Sequence, residues 1–223
     1  MIVLKDAKKL YKGDGFETLA LDNVNLEINH GEFVAIMGKS GSGKSTILNI
    51  IGCMDRLTEG SYILDDTNVS SLGILKLDKL RKQKISFIFQ NYELMEHYTI
   101  YENIELPLLA NGVSSKERKA KVRSVMERLS IAELAKKYPK QISGGEQQRT
   151  AIARALVSGN DYILADEPTG ALDQGNSYEL MNIFKEIHKE GRTIIMVTHD
   201  KDIAVYADRI IEISDGKILN SEV

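Results

Sequence analysis

Apolar residues recur along this chain in three rhythms. The first thirty positions alternate, through Ile2-Val3-Leu4 and then Leu19-Ala20-Leu21, Val24, Leu26 and Ile28, around the turn-rich Lys12-Gly13-Asp14-Gly15. Alternation of period two predicts short, half-buried strands. Three later runs are continuously apolar: Phe33 to Met37, Tyr162 to Ala165 and Thr193 to Val197. Short apolar runs bounded by glycine or polar residues predict strands buried on both faces. The third rhythm is helical. Leu180, Ile183, Phe184 and Ile187 share one face, as do Val122, Val125, Met126 and Leu129. A further helix is expected from about Ser45 to Cys53, and Arg209 to Ile213 with Asp215-Gly216 predicts a closing hairpin.

Buried strands separated by an amphipathic helix imply a parallel sheet with crossover helices, an α/β fold. The stretch 91–158 differs, being charged, helical in period and poor in strand patterns. One domain is therefore expected over 1–223, with a core of about 1–90 and 159–223 and an inserted helical subdomain of about 91–158. No internal repeat is visible.

Composition narrows the function. With 29 Lys and Arg against 32 Asp and Glu the net charge is −3, without the basic excess of a nucleic-acid binder. Basic clusters do occur at Lys79-Arg81-Lys82-Lys84 and Lys116-Arg118-Lys119-Lys121-Arg123. The second lies opposite the Val122–Leu129 stripe and reads as a solvated face, a phosphate or headgroup contact being the alternative. Cys53 is the single cysteine, so no internal disulfide forms, and a small buried role is expected for it. Neither a signal segment nor an apolar run of about 18 residues is visible, so a soluble, cytoplasmic chain is expected.

The most specific chemical signal is Gly38-Lys39-Ser40-Gly41-Ser42-Gly43-Lys44-Ser45, followed by Thr46. It fits the phosphate-loop (Walker A) pattern, between a buried strand and a helix. The glycines let backbone N–H groups converge on one spot, and the helix adds the positive end of its dipole. Lys44 would neutralise phosphate oxygens and Ser45 would ligate Mg²⁺. A second signal is Asp166-Glu167, two carboxylates at the C-terminal end of a buried strand, where ligands bind in parallel sheets. Alone, such a pair reads equally well as a helix cap. Beside a phosphate loop, Asp166 suits Mg²⁺ and Glu167 suits activation of water.

The third signal is Ile142-Ser143-Gly144-Gly145-Glu146-Gln147-Gln148-Arg149. It resembles the signature motif of ABC ATPases, in which the serine and backbone N–H groups at a helix N-terminus hold a γ-phosphate. Two phosphate sites in one small chain imply that two copies face each other. The resemblance implies a RecA-like P-loop NTPase core with a mostly parallel sheet, an N-terminal antiparallel β subdomain and the helical insert. It further implies that Tyr11 stacks on adenine, although a tyrosine near a strand end more often only packs. Gln90 matches the glutamine that contacts Mg²⁺ or water, Asp173 in Ala171-Leu172-Asp173 the loop between subunits, and His199 the histidine that contacts the γ-phosphate. All seven elements occur in order. Two departures are Ile142 where leucine is usual and Glu146 where glutamine is usual.

Within that superfamily, 49–55, 99–108 and 165–173 are similar to the branch of macrolide-export and lipoprotein-release ATPases (MacB and LolD types) and their antimicrobial-peptide relatives. That implies ATP and Mg²⁺ as ligands, a homodimer on ATP binding, and an FtsX-like, MacB-type integral membrane permease as partner. The chain would then sit at the inner face of the cell membrane through the permease, powering export or mechanotransmission. A soluble ABC ATPase acting on nucleic acid or ribosomes is the alternative. Ile142 follows Lys44 by only 98 positions without sustained heptads, which leaves no room for the coiled coil of the DNA-repair types. A nucleotide-binding regulator without turnover is a third reading, opposed by the presence of Glu167 and His199.

Overall fold

Residues 1–13 and 15–222 are described by a computed structural model; Asp14 of the expected first turn lies outside them. β1 (Ile2–Gly13) and β2 (Phe16–Ile28) pair antiparallel, in a register that sets Ile2 against Ile28 and Leu4 against Leu26. β3 (Phe33–Met37) follows, then α1 (Lys44–Ile51), β4 (Glu59–Leu64), β5 (Thr67–Asn68), α2 (Ile74–Lys84) and β6 (Ile85–Ile88). The helical stretch holds α3 (Ile100–Ala110), α4 (Ser115–Arg128) and α5 (Gly144–Leu156). β7 (Tyr162–Asp166), α6 (Gln174–Lys189), β8 (Thr193–Val197), α7 (Lys201–Ala204), β9 (Arg209–Ser214) and β10 (Lys217–Glu222) complete the chain.

The strands form two sheets. One is antiparallel, in the order β2-β1-β4-β5; the other runs β10-β9-β3-β8-β7-β6 and is parallel apart from the β9–β10 hairpin. All five residues of β3 are buried, and period two still sorts them. Phe33, Ala35 and Met37 join a core with α3, α4, α5 and α6, while Val34 and Ile36 join a second core with α1 and the antiparallel sheet. Each face of the parallel sheet is thus covered by a different layer, as a doubly buried sheet requires. The fold is that of an α/β P-loop NTPase.

Local chemistry sets the boundaries. α3 opens with a capping box in which Thr99 accepts from Glu102 N–H while Glu102 accepts from Thr99 N–H. On α4 the expected stripe of Val122, Val125 and Met126 is buried, and much of its basic face is paired: Arg118 with Glu105, Lys121 with Glu117, Arg123 with Glu127. The helix expected to reach Cys53 stops at Ile51. A side chain at Gly52 would meet the Phe87 ring at 2.2 Å, and Cys53 turns away at φ 55. Cys53 is buried, and burial pushes its thiol up to about 11. β4 and α2 had no counterpart in the sequence pattern.

Candidate functional site

The loop between β3 and α1 takes its form from two glycines, Gly38 and Gly43, where any side chain would strike neighbouring backbone. Gly43 caps α1 at φ 105, and a Cβ there would stand 2.6 Å from the Ala20 carbonyl oxygen. At Gly38 the obstacle is the Ile213 carbonyl oxygen at 2.2 Å. β2 and β9 therefore press on the loop from behind and fix its curve. The N-terminus of α1 has no side-chain cap and no acidic residue in its first turn, so its N–H groups and dipole stay available to an anion. The buried Lys44 ammonium is anchored over the loop, donating to the carbonyls of Gly38 and Lys39 at 2.8 Å each. The buried Ser42 hydroxyl, within the loop, has no hydrogen-bond partner among the described residues.

A cleft of about 870 Å³ opens over this loop. Gly38, Lys39, Ser40, Gly41, Gly43, Lys44, Ser45 and Thr46 form its floor, with Tyr11 on one rim and Glu167 and His199 on another. Tyr11 is held by its hydroxyl, which donates to Asp55 at 2.7 Å, while the Lys9 ammonium lies 4.7 Å from its ring centroid. Glu167 directly follows β7 with φ 43, a left-handed backbone uncommon for glutamate, fixed by its N–H donating to Val197 O at 2.9 Å. Its two oxygens are separately engaged: His199 Nδ1 is 3.2 Å from Oε1, and Gln90 Nε2 donates to Oε2 at 3.3 Å. Asp166 lies deeper, 3.5 Å from Ser45 Oγ. Burial, and then the charge of Glu167, push its carboxyl up, while Ser45 and Lys44 oppose the rise.

Thr18, Leu19, Ala20, Asp215 and Gly216 also line the cleft, and sequence reasoning missed them. They sit on the β2 strand and the β9–β10 turn, joined to the loop by Gly216 N–H donating to Ser42 O at 3.0 Å. No local motif marks them.

The signature residues stand elsewhere. Ser143 caps α5 and Asp173 caps α6, and neither they nor Gly144, Gly145 and Glu146 line the cleft. α5 and α6 meet where Gly145 faces Asn176, close enough that a Cβ would lie 2.9 Å from its side-chain oxygen. α5 is tied to the loop after β7 by the buried Gln148, whose Nε2 donates to Pro168 O at 2.9 Å. Each copy of the chain therefore carries two separate clusters of glycines and helix N-termini.

Residues 21–170 match the ABC transporter family. The chain is 48% identical over 220 residues to the macrolide export ATP-binding/permease protein MacB of Hyphomonas neptunium, covering 99% of this chain and 34% of that protein. It thus spans about a third of such relatives' length. Against YvrO of Bacillus subtilis, an uncharacterized ABC transporter ATP-binding protein, identity is 45% over 222 residues, covering 100% of this chain and 97% of that one. Among solved structures, a dimer of the ATP-binding cassette MJ0796 in a post-hydrolysis state with ADP and Pi superposes with a TM-score of 0.93 at 43% identity, covering 100% of this chain and 98% of that one.

Proposed function

The chain belongs to the ABC transporter family, as an ATP-binding and ATP-hydrolysing cassette, and from that premise we propose that two copies close around ATP to drive a membrane permease. One observation carries the reading of the site: the uncapped phosphate loop with Lys44 faces the same cleft as the doubly held Glu167. In this reading the backbone N–H groups of Gly38, Lys39, Ser40, Gly41, Ser42, Gly43, Lys44, Ser45 and Thr46 cradle the phosphates, and Tyr11 borders the base. Glu167 accepts the proton of the attacking water. The water oxygen bonds to the γ-phosphorus while the bond to the β,γ-bridging oxygen breaks, and the electron pair leaves with ADP. His199 and Gln90 orient Glu167 from either side; without them the carboxylate would be free to rotate in the cleft.

The donors present fit Mg²⁺. A half-buried carboxylate whose pKa is raised, with a hydroxyl beside it, gains from a divalent ion, and Asp166, Ser45 and Gln90 would supply oxygen ligands. When bound, the ion would neutralise phosphate charge at the reacting centre. Ser143, Gly144, Gly145 and Glu146, lying off the cleft, would complete the pocket of a second copy, with Asp173 at the seam. The core of about 1–90 and 159–223 would then carry the chemistry, and the helical subdomain of about 91–158 the motion.

No helix among the described residues is long and apolar enough to cross a membrane. In this reading the chain acts at the inner face of the cell membrane, docked to an FtsX-like, MacB-type permease near residues 91–108. The identity to macrolide export proteins supports that partner class; macrolide, lipoprotein and antimicrobial peptide remain candidate cargoes. The test is Glu167→Gln with Mg-ATP on a sizing column. A trapped dimer is expected, with turnover reduced about 10²- to 10⁴-fold, the usual range for a lost general base. A variant that stays monomeric at saturating Mg-ATP would overturn the reading.

A further inference from the structure

The helix that begins at Ser143 closes its own N-terminus. Ser143 Oγ donates to Glu146 Oε2 at 2.8 Å, and the same carboxylate oxygen accepts the Ser143 N–H at 2.7 Å. Glu146 N–H returns to Ser143 Oγ at 3.3 Å. The same reciprocal box caps α3, where Thr99 Oγ1 and N–H both donate to Glu102 at 2.7 Å. At α3 no phosphate reading exists, so the arrangement at α5 is what this capping sequence adopts by itself.

A serine hydroxyl has one proton. Here it is committed to a carboxylate, and a hydrogen bond to a charged acceptor is roughly twice as strong as one to a neutral group. Those same two bonds, the backbone one foremost, hold the Glu146 carboxyl below its ordinary range, so it is anionic at neutral pH. Lys137 and Arg149 are the cations near it, and Arg149 is already paired with Glu179. A phosphate that arrives at Ser143 therefore meets both an occupied donor and a negative charge.

We propose that Glu146 is a built-in competitor for the Ser143 hydroxyl, so that the residue at 146 sets the ATP concentration at which two copies close. The inference rests on the reading that Ser143 grips a nucleotide phosphate held by a second copy. Glu146 is then a positioning residue, acting on the nucleotide through Ser143. Glutamine at 146 keeps the shape of the cap. Its amide oxygen still accepts, but the bond is weaker and the repulsion is gone.

The experiment uses the Glu167→Gln chain, in which turnover is suppressed, and follows dimer formation by analytical ultracentrifugation across Mg-ATP concentrations. Adding E146Q should lower the half-maximal Mg-ATP concentration about fivefold, the ratio expected for exchanging a charged for a neutral acceptor. S143A should raise it, and in the S143A background E146Q should bring a clearly smaller gain, that of the lost charge alone. An unchanged or raised midpoint in E146Q overturns the proposal, as does an equal gain with and without the Ser143 hydroxyl, which would point to bulk charge. If S143A leaves the midpoint unmoved, the phosphate reading of Ser143 itself fails. If S143A weakens closure while E146Q is neutral, only the competition fails. E146Q should melt near the parent, since Gln retains the cap, whereas S143A removes the capping oxygen and should melt a few degrees lower.

Discussion

Two glycines of one loop offer a sharp test of how the phosphate loop is held. Gly41 and Gly43 both have positive φ, 78° and 105°, so alanine is conformationally strained at either. Their surroundings differ. A Cβ on Gly41 would meet nothing within 4 Å, whereas on Gly43 it would stand 2.6 Å from the Ala20 carbonyl oxygen and 3.2 Å from Leu21 Cδ2. The left-handed backbone costs alanine about 1–2 kcal/mol, and a stiffer unfolded chain returns about 0.4–1 kcal/mol. Gly41→Ala should thus lose about 1.6 kcal/mol or less. Gly43→Ala adds a clash with strand backbone that no rotamer relieves, bringing the loss to about 2–5 kcal/mol. For a chain of this size that is about 4–20 °C of melting temperature, against about 6 °C or less for Gly41→Ala. Scanning calorimetry without nucleotide reads the difference directly. The clash would also push the first turn of α1 off β2, so Gly43→Ala should lose most of its stabilisation by Mg-ATP. Equal melting temperatures for the two variants would refute the reasoning, because then the pressure of β2 on the loop contributes nothing.

Two other expectations concern sites away from the cleft. Burial alone would raise the Asp65 pKa, but the Tyr162 hydroxyl, the Met1 amino group and Lys84 outweigh it and hold the carboxyl well below the usual carboxylate range. A depressed folded-state pKa stabilises above the unfolded value and loses that contribution as pH falls. The urea midpoint should therefore drop steadily below about pH 4, and Asp65→Asn should start lower and depend less on pH; parallel pH profiles would exclude the pairing as a cause. Asn103 is buried on α3, donates to the carbonyls of Met95, Tyr98 and Thr99, and accepts the Met95 N–H. Asn103→Leu strands those groups and should cost about 2–4 kcal/mol in urea denaturation; a loss under about 1 kcal/mol would mean that water replaces the amide.

What the sequence discloses depends on how far apart the cooperating residues lie. The loop from Gly38 to Thr46 is contiguous, and its neighbours in sequence are its neighbours in space, so the strand-turn-helix arrangement could be read directly. Asp166 and Glu167 were legible for a related reason: the end of a buried strand in a parallel sheet is a defined place. Thr18, Leu19, Ala20, Asp215 and Gly216 were not, because they reach the cleft through sheet order. β9 lies beside β3 and its hairpin turn bonds Ser42 and Asp22, pairings that nothing local encodes. α2 escaped for the opposite reason. It fully buries none of its residues: only Leu77 and Leu80 lean half-buried on the core, and Ile74 and Leu75 at its start are exposed, so the apolar face was too short for a period to reveal. β4 contributes only Tyr62 and Leu64 to a core, too few alternations to separate from a loop.

The separation of the two glycine clusters lies between these extremes. Both motifs were plain in sequence, yet only the fold says whether Ser143 could reach Lys44 within one chain. In the structure the two ends stay apart for a physical reason. α5 runs from Ser143 into a core built on Ile152, Ala153 and Ala155, and α3 and α4 pack beside it. Its flank is bound to the loop after β7 through Gln148, and Arg154 holds the carbonyls of Tyr92 and Glu93 behind the Gln90 turn. Those contacts make the signature end a rigid extension of the segment that carries Glu167 and Gln90. In the proposed function, a force on Ser143 from a second copy would therefore be delivered to Glu167 and Gln90 without any need for Ser143 to enter their cleft.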